Sequence, residues 1–293
     1  MKVLIAGASG LVGNNCLTYF TQQGFSCLGT HFSYATKDTY FFNTLSLDDK
    51  NNVDIYAFKP DVIVHCGALT HVDYCEDHVD ESYLKTVTST QNLIQVAKQL
   101  QAKFVYISTD YVFDGKNGPY LEDDAVNPLG IYAKHKLEAE QLAMQYADSL
   151  ILRITNVYGQ EERNKNFVSR IIEQCVEQKK LILKLPYDQY ATPVNAWDIA
   201  RAMYLLLRDK HKGVFHIASS DWMNRVELAQ NILKHFPHAD YELYPMDTAS
   251  LNQASHRPLR GGLLKEKFSS LYPDFLFSTV EDFVLNHKKS LSN

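Results

Sequence analysis

A doubly wound α/β fold, with a parallel sheet between two helical layers and a smaller carboxy-terminal lobe, is what three features of this 293-residue sequence predict. Short apolar, β-branched runs alternate with helical stretches through the first half, as parallel strands buried on both faces require. The first run, Lys2 to Ala6, passes straight into Gly7-Ala8-Ser9-Gly10-Leu11-Val12-Gly13. A later run, Phe104-Val105-Tyr106-Ile107, stops abruptly at Ser108-Thr109-Asp110-Tyr111. Hydroxyls and a carboxylate therefore sit at a strand's carboxyl end, which is where such sheets bind ligands.

Composition narrows the class. The chain is long enough to bury a sizeable core, and 45% hydrophobic with 22% charged residues is ordinary for a globular protein. A net charge of -5 without a basic block argues against nucleic acid or an anionic membrane as partner. Any anionic ligand has to meet a local cluster. No apolar run approaches a membrane span and the first strand begins at Lys2, so a cytoplasmic location is expected. Five cysteines without paired spacing fit reduced thiols. His65, Cys66, His71, Cys75 and His78 crowd one segment, but they are strung along a strand end, a loop and a helix start without zinc-ribbon spacing, so no metal is expected.

Taken in order, the glycine run comes first. Gly7 permits a tight turn, Gly10 lets a pyrophosphate approach backbone N–H groups at a helix start, and Gly13 lets that helix, running to about Gln23, pack on the sheet. Gly7, Ser9, Gly10, Leu11, Val12 and Gly13 are thus the candidate dinucleotide cradle of a Rossmann-type domain. The second strand, Ser26 to Thr30, leads into His31-Phe32-Ser33 with no acid before Asp38, where an NAD-preferring site usually presents a carboxylate to the ribose. NADPH is therefore expected ahead of NADH, which stays possible, with His31, Ser33 or Lys37 for the 2'-phosphate. A third strand, Tyr40 to Phe42, leads to Asn43, placed near the adenine, and then to a helix ending about Phe58. The fourth, Val62 to His65, is followed by Cys66-Gly67-Ala68, small enough for backbone to lie against a ligand. Thr70, Asp73 and Glu76 follow, and a long amphipathic helix from about Ser82 to Gln101 returns to the central strand.

After Pro128-Leu129-Gly130 a helical pattern carries Tyr132 and Lys136, one turn apart on one face. An ammonium beside a phenol favours the phenolate, so Lys136 is expected to lower the Tyr132 pKa and let it exchange a proton with a carbonyl held by Thr109. Chance supplies roughly one Tyr-x-x-x-Lys in a chain this rich in both residues, so its position after a strand ending in Ser-Thr carries the argument. A sixth strand runs from Ser149 to Ile154. Beyond Gly159 the pattern changes, with a helix from Gln160–Lys165 to about Lys179, a strand Leu181 to Leu185, a helix Val194 to Leu207 and a strand Gly213 to Ile217. A helix Arg225 to His235, a strand Tyr241 to Tyr244 and a helix near Thr279 to His287 follow. The expected division is 1–155 plus about 188–217 for the dinucleotide domain, and about 156–187 plus 218–293 for the substrate lobe.

These residues together resemble the extended short-chain dehydrogenase/reductase superfamily, most closely the dTDP-4-dehydrorhamnose reductase family. The resemblance runs the full length through the glycine loop, Ser108-Thr109-Asp110-Tyr111-Val112-Phe113-Asp114-Gly115, Tyr132-Ala133-Lys134-His135-Lys136-Leu137, Leu152-Arg153 to Tyr158-Gly159, Asp188-Gln189 through Pro193, and Asp198. It implies a catalytic triad of Thr109, Tyr132 and Lys136, with Lys136 also reaching the nicotinamide ribose. It further implies reduction of the 4-keto group of a nucleotide-linked 6-deoxyhexose with NAD(P)H, by a monomer or homodimer. Thr70, Asp110, Tyr111, Asn156 and Arg257 are the substrate-side candidates, and Cys66, Gly67, Ala68, Tyr132 and Lys136 join the cofactor set. Arg257 is assigned to the nucleotide diphosphate on this resemblance, and because a guanidinium matches phosphate oxygens in a bidentate way. Three departures stand out: Asn156 replaces the family's usual Trp, Thr86 replaces an Asn, and the carboxy-terminal motif is reduced to Arg257-Pro258-Leu259-Arg260-Gly261-Gly262-Leu263-Leu264. The sequence is also similar to the regulatory beta subunit of methionine adenosyltransferase, which binds NADP and works as a partner, and an epimerase or dehydratase on the same scaffold is a third reading.

Overall fold

The chain is described over residues 1–291 by a computed structural model. β1 (Lys2–Ala6) feeds α1 (Leu11–Gln22), which returns to β2 (Ser26–His31); β3 (Thr39–Phe41), a single turn α2 (Ile55–Phe58) and β4 (Val62–His65) follow. Next come α3 (Val72–Asp77), α4 (Val79–Tyr83), a π-helical segment Leu84–Thr88 and α5 (Ser89–Leu100). β5 (Lys103–Thr109) opens into a 3₁₀ turn at Asp110–Val112, then α6 (Ile131–Met144) and β6 (Ser149–Ile154). The remainder comprises α7 (Phe167–Val176), β7 (Leu181–Pro186), β8 (Tyr190–Ala191), α8 (Ala196–Arg208), β9 (Gly213–His216), β10 (Met223–Asn224), α9 (Arg225–Leu233), β11 (Tyr241–Met246), α10 (Glu266–Leu271) and α11 (Val280–Leu291).

Seven strands form one sheet in the order β3-β2-β1-β4-β5-β6-β9, with every neighbouring pair parallel. Strand order reverses between β1 and β4, which opens a crevice at their carboxyl ends. Side chains alternate along each strand, so Val3 and Ile5 enter a core shared with Phe20 of α1 and Met203 and Leu206 of α8. Leu4 and Ile63 enter the opposite core with Leu93 of α5 and Ala139 of α6. A third cluster joins Ile172 of α7, Leu181 of β7, Leu228 of α9 and Val284 of α11 beneath the two-stranded β7–β11 sheet.

The elements depart from the sequence-based reading in a few places. β5 includes Ser108 and Thr109, since pairing with β6 continues through Ser108–Arg153 and Thr109–Ile154. The expected helix from about Ser82 starts instead at Val79, is preceded by the separate α3, and changes to π geometry where Thr86 and Val87 are buried. β3 begins one residue early, and α7 starts only at Phe167 because the Asn166 side chain caps it by accepting from Ser169 N at 3.0 Å.

Two further features shape the site. Glu140 of α6 and Arg153 of β6, 0% and 4% exposed, form a buried ion pair, with Nη2–Oε1 at 2.6 Å and a Ser108 hydroxyl donating to the second carboxylate oxygen. Residues 258–264 form a strap threaded between two loops. On one side Arg260 N donates to Gly115 O at 2.7 Å and Tyr120 N to Gly262 O at 3.1 Å. On the other, Tyr190 N donates to Leu259 O at 2.6 Å and Gly261 N to Tyr190 O at 3.1 Å. Among the described residues no helix is long and apolar enough to cross a membrane.

Candidate active site

The glycine loop forms a cradle at the carboxyl end of β1. Gly7 sits at φ +85°, and a Cβ there would lie 2.9 Å from Gly67 N; a Cβ at Gly13 would lie 2.3 Å from Gly7 O. Neither position admits a side chain, and the first also shows how closely Cys66 and Gly67 approach the loop. Gly10 caps α1 without a side chain and no acid occupies the helix's first turn, so its amino end suits an anion. Ser9, Leu11 and Val12 are half-buried around it, as are Cys66 and Ala68. Gly7 N and Ala8 N both donate to Thr30 O, at 3.1 and 2.8 Å, tying the cradle to the end of β2.

There the candidates separate. Ser33 and Lys37 are exposed, and His31 is half-buried with Nδ1 2.9 Å from Thr39 Oγ1. Asn43 uses its side-chain oxygen locally, accepting from Leu45 N at 3.0 Å. Residues 160–165, expected from the sequence to open a helix, form a loop ahead of α7 instead. Arg163 of that segment stacks 4.9 Å over the Tyr34 ring, while Tyr34 donates its hydroxyl to Glu162 at 3.0 Å.

At the carboxyl end of β5, Thr109 Oγ1 accepts from Tyr111 N at 3.2 Å, and its hydroxyl lies near enough to the Tyr132 phenol to act on its titration. Burial pushes the Tyr132 phenol well above its ordinary range, Thr109 opposes that rise, and Tyr111, whose ring meets Tyr132 edge-on at 5.9 Å, adds to it. The expected lowering by Lys136 is overturned. Lys136 Nζ donates to Ile107 O at 2.5 Å and lies 4.2 Å over the Tyr106 ring, and burial drives its own pKa down to about 7 against the pull of Glu140 and Cys66. One helical turn puts the two side chains on the same face, but a buried ammonium in want of oxygen partners takes the strand carbonyl beneath it. Thr86 lies in the π segment with its buried hydroxyl unpartnered and its carbonyl accepting from Thr90 at 2.6 Å.

Among the residues expected on the substrate side, a polar cavity of about 10 Å³ is lined by Asp110, Tyr111 and Asn156 together with Gln189, Tyr190 and Arg225. Asn156, at φ +40°, accepts from Arg225 Nη2 at 2.6 Å. Asp110 is 3% exposed and spends Oδ2 on Thr155 Oγ1 at 2.7 Å and on Gly262 N at 3.3 Å, so it pins the strap as well as lining the cavity. Burial raises its pKa and those hydrogen bonds oppose the rise. Arg257 donates from Nη2 to Asp73 Oδ2 at 2.8 Å and keeps Nη1 buried without a partner. Thr70 is exposed and outside this group. Arg225 is the main residue that sequence reasoning missed. Asn224 and Glu227 form a capping box around it, so the pattern marked a helix start and hid a guanidinium that burial discourages from charging and Tyr111 and Asp110 support.

The RmlD substrate binding domain profile matches residues 1–277. Methionine adenosyltransferase 2 subunit beta of Bos taurus is 34% identical over 253 residues, 84% of this chain and 75% of that protein. The spore coat polysaccharide biosynthesis protein SpsK of Bacillus subtilis is 31% identical over 237 residues, 80% of this chain and 78% of that one. A solved dTDP-4-dehydrorhamnose reductase of Clostridium acetobutylicum is 28% identical with a TM-score of 0.80, covering 100% of this chain and 99% of its own. A dTDP-4-dehydrorhamnose reductase of Bacillus anthracis, solved in complex with NADP, shares the fold at 23% identity and a TM-score of 0.84, covering 97% of each chain.

Proposed function

This chain belongs to the RmlD substrate binding domain family, and from that premise we propose that it reduces the 4-keto group of a nucleotide-linked 6-deoxyhexose, using NADPH ahead of NADH. The observation that carries the reading is the pair of neighbouring hydroxyls, Thr109 and Tyr132, at the carboxyl end of the central strand and the start of α6. A cradle that no Cβ could enter, at a helix start free of acids, fits a dinucleotide's pyrophosphate. Gly7, Gly10, Gly13 and Gly67 would hold it. When bound, the reduced dinucleotide supplies the hydride.

The chain's own residues supply the proton and the geometry. A phenol raised above its ordinary range is fully protonated at neutral pH, so Tyr132 Oη is a donor to a carbonyl oxygen as negative charge develops there. Thr109 Oγ1, beside that hydroxyl, orients the same oxygen. Lys136 is the candidate for the nicotinamide ribose, whose hydroxyls would supply the oxygen partners its ammonium lacks. Arg257 and Arg225 are the guanidinium donors for the sugar's diphosphate, the first through the Nη1 that has no partner in the protein.

A second reading has two specific supports. The Bos taurus relative is named as a subunit of methionine adenosyltransferase. The cavity of about 10 Å³ holds roughly one water. On this reading the chain binds the dinucleotide and acts as a partner without turnover. The deciding assay follows NADPH absorbance with several nucleotide-linked 4-ketosugars. The proposal expects turnover that Tyr132→Phe abolishes with dinucleotide affinity unchanged. Tight NADPH binding without oxidation of any ketosugar would put the partner reading in its place.

A further inference from the structure

We infer that α3 is a bracket, with Asp73 and Glu76 as positioning residues that fix the distance between the anion-binding Arg257 and the proton-donating Tyr132. The inference rests on the reductase reading above. Asp73 and Glu76 stand three residues apart, so they leave one face of a short helix that Cys75, 0% exposed, anchors in the protein. They hold two different structures. Asp73 accepts from Ser255 N at 3.0 Å and from Arg257 Nη2 at 2.8 Å, both at the approach to the strap. Glu76 Oε1 accepts from Ile131 N at 2.8 Å, the first amide of α6 and the residue before Tyr132.

The helix start is built around this borrowed carboxylate. Gly130 caps α6 with no side-chain hydrogen bond, and the first turn contains no acid of its own. A Cβ at Gly130 would lie 2.5 Å from Glu76 Oε1 and 2.2 Å from Ser255 Oγ. The position thus gives up the usual Ser, Thr, Asp or Asn cap and leaves room for an acceptor 55 residues away in sequence. A carboxylate at that end also meets the positive pole of α6. Ser255, which touches both sides of the bracket, keeps its buried hydroxyl unpartnered, so it contributes bulk and a backbone N–H.

A nucleotide-linked sugar is long, with its diphosphate and its keto group at separate anchors. If α3 shifts, the two anchors lose their common reference, and a misplacement of about 1 Å at a reacting group costs on the order of 100-fold in rate. The carboxylates therefore have separable effects. Glu76→Ala should lower kcat about 10- to 100-fold with the KM for the nucleotide sugar and the affinity for NADPH nearly unchanged. Glu76→Gln, which retains a carbonyl acceptor, should restore kcat to within about threefold of the parent. Asp73→Asn should act mainly on KM. Glu76→Asp, one methylene shorter, replaces the alanine variant should that one not fold.

Hydrogen exchange at residues 131–136 supplies a readout that needs no turnover, with faster exchange expected in Glu76→Ala than in Glu76→Gln. Equal kcat in the parent and a folded Glu76→Ala, or equal loss in the alanine and glutamine variants, overturns the bracket. A parent that reduces no ketosugar removes the reductase reading alone. Unchanged exchange in Glu76→Ala then overturns the bracket separately.

Discussion

Replacing Glu140 by Gln tests the anchoring of α6 most directly. Glu140 lies one turn beyond Lys136 and two beyond Tyr132, and its side chain is 0% exposed against 5% for Arg153, so solvent screens neither charge. Arg153 reaches the carboxylate through Nη2 at 2.6 Å and Nε at 3.2 Å. Removing the carboxylate charge leaves a buried guanidinium with Glu122 O at 3.1 Å and His216 Nε2 at 3.3 Å, and His216 is neutral because burial and Arg153 drive its pKa down to about 3. Breaking one side of a buried pair costs about 3–5 kcal/mol. With a urea dependence of about 3 kcal/mol per molar for a chain of this size, the unfolding midpoint should fall by about 1–1.7 M. Tryptophan fluorescence reports both halves, since Trp197 starts α8 and Trp222 sits beside the strap. Glu140→Met with Arg153→Met should recover most of the loss, as apolar replacements of buried pairs do. A single Glu140→Gln variant within about 1 kcal/mol of the parent would refute the claim that this pair holds α6 to the sheet.

Other outcomes follow from the same geometry. Gly13→Ala should abolish dinucleotide binding in titration calorimetry, because its Cβ would lie 2.3 Å from a backbone oxygen. Lys136, brought from 10.5 to about 7 by burial, binds fewer protons folded than unfolded above that value. Its burial penalty is therefore complete below about pH 7 and declines as pH rises toward the unfolded value, so stability should climb between about pH 7 and 8.5, and Lys136→Met should flatten that slope in urea titrations at the two pH values. Arg225→Met removes a charged donor from the substrate side and should raise the KM for a nucleotide sugar about tenfold or more, with kcat little changed.

Local chemistry made much of this legible. Strand runs such as Val62 to His65 carry their burial in their composition, and the glycine spacing declares a turn, a close approach and a helix contact in thirteen residues. Thr109 and Tyr132 are singled out by combining a strand end with a helical period. What escaped depends on non-local packing. The π segment at Leu84–Thr88 has no breaker residue, because it arises where Thr86 and Val87 are buried against the fold. Arg225 and Gln189 meet Asp110 and Tyr111 only in the folded chain, with the intervening loops held by the strap. The direction of the Tyr132 shift was misread for a related reason. Spacing on a helix tells which side chains are neighbours, whereas the carbonyl of Ile107 that captures Lys136 belongs to a strand 29 residues earlier.

The strap also sets an order of events during synthesis. The sheet strands from β1 to β9 are all translated before residue 217, and with them the dinucleotide cradle and the Thr109–Tyr132 pair. The wall that Gly262 N provides to Asp110, and that Leu259 O provides to Tyr190, leaves the ribosome only in the last part of the chain. A product released before residue 258 would lack both the strap that finishes the pocket and Phe268, which is fully buried in the core that Val3, Ile5 and Phe20 share under the cradle. Quality control of recombinant material therefore has to interrogate the far end of the polypeptide.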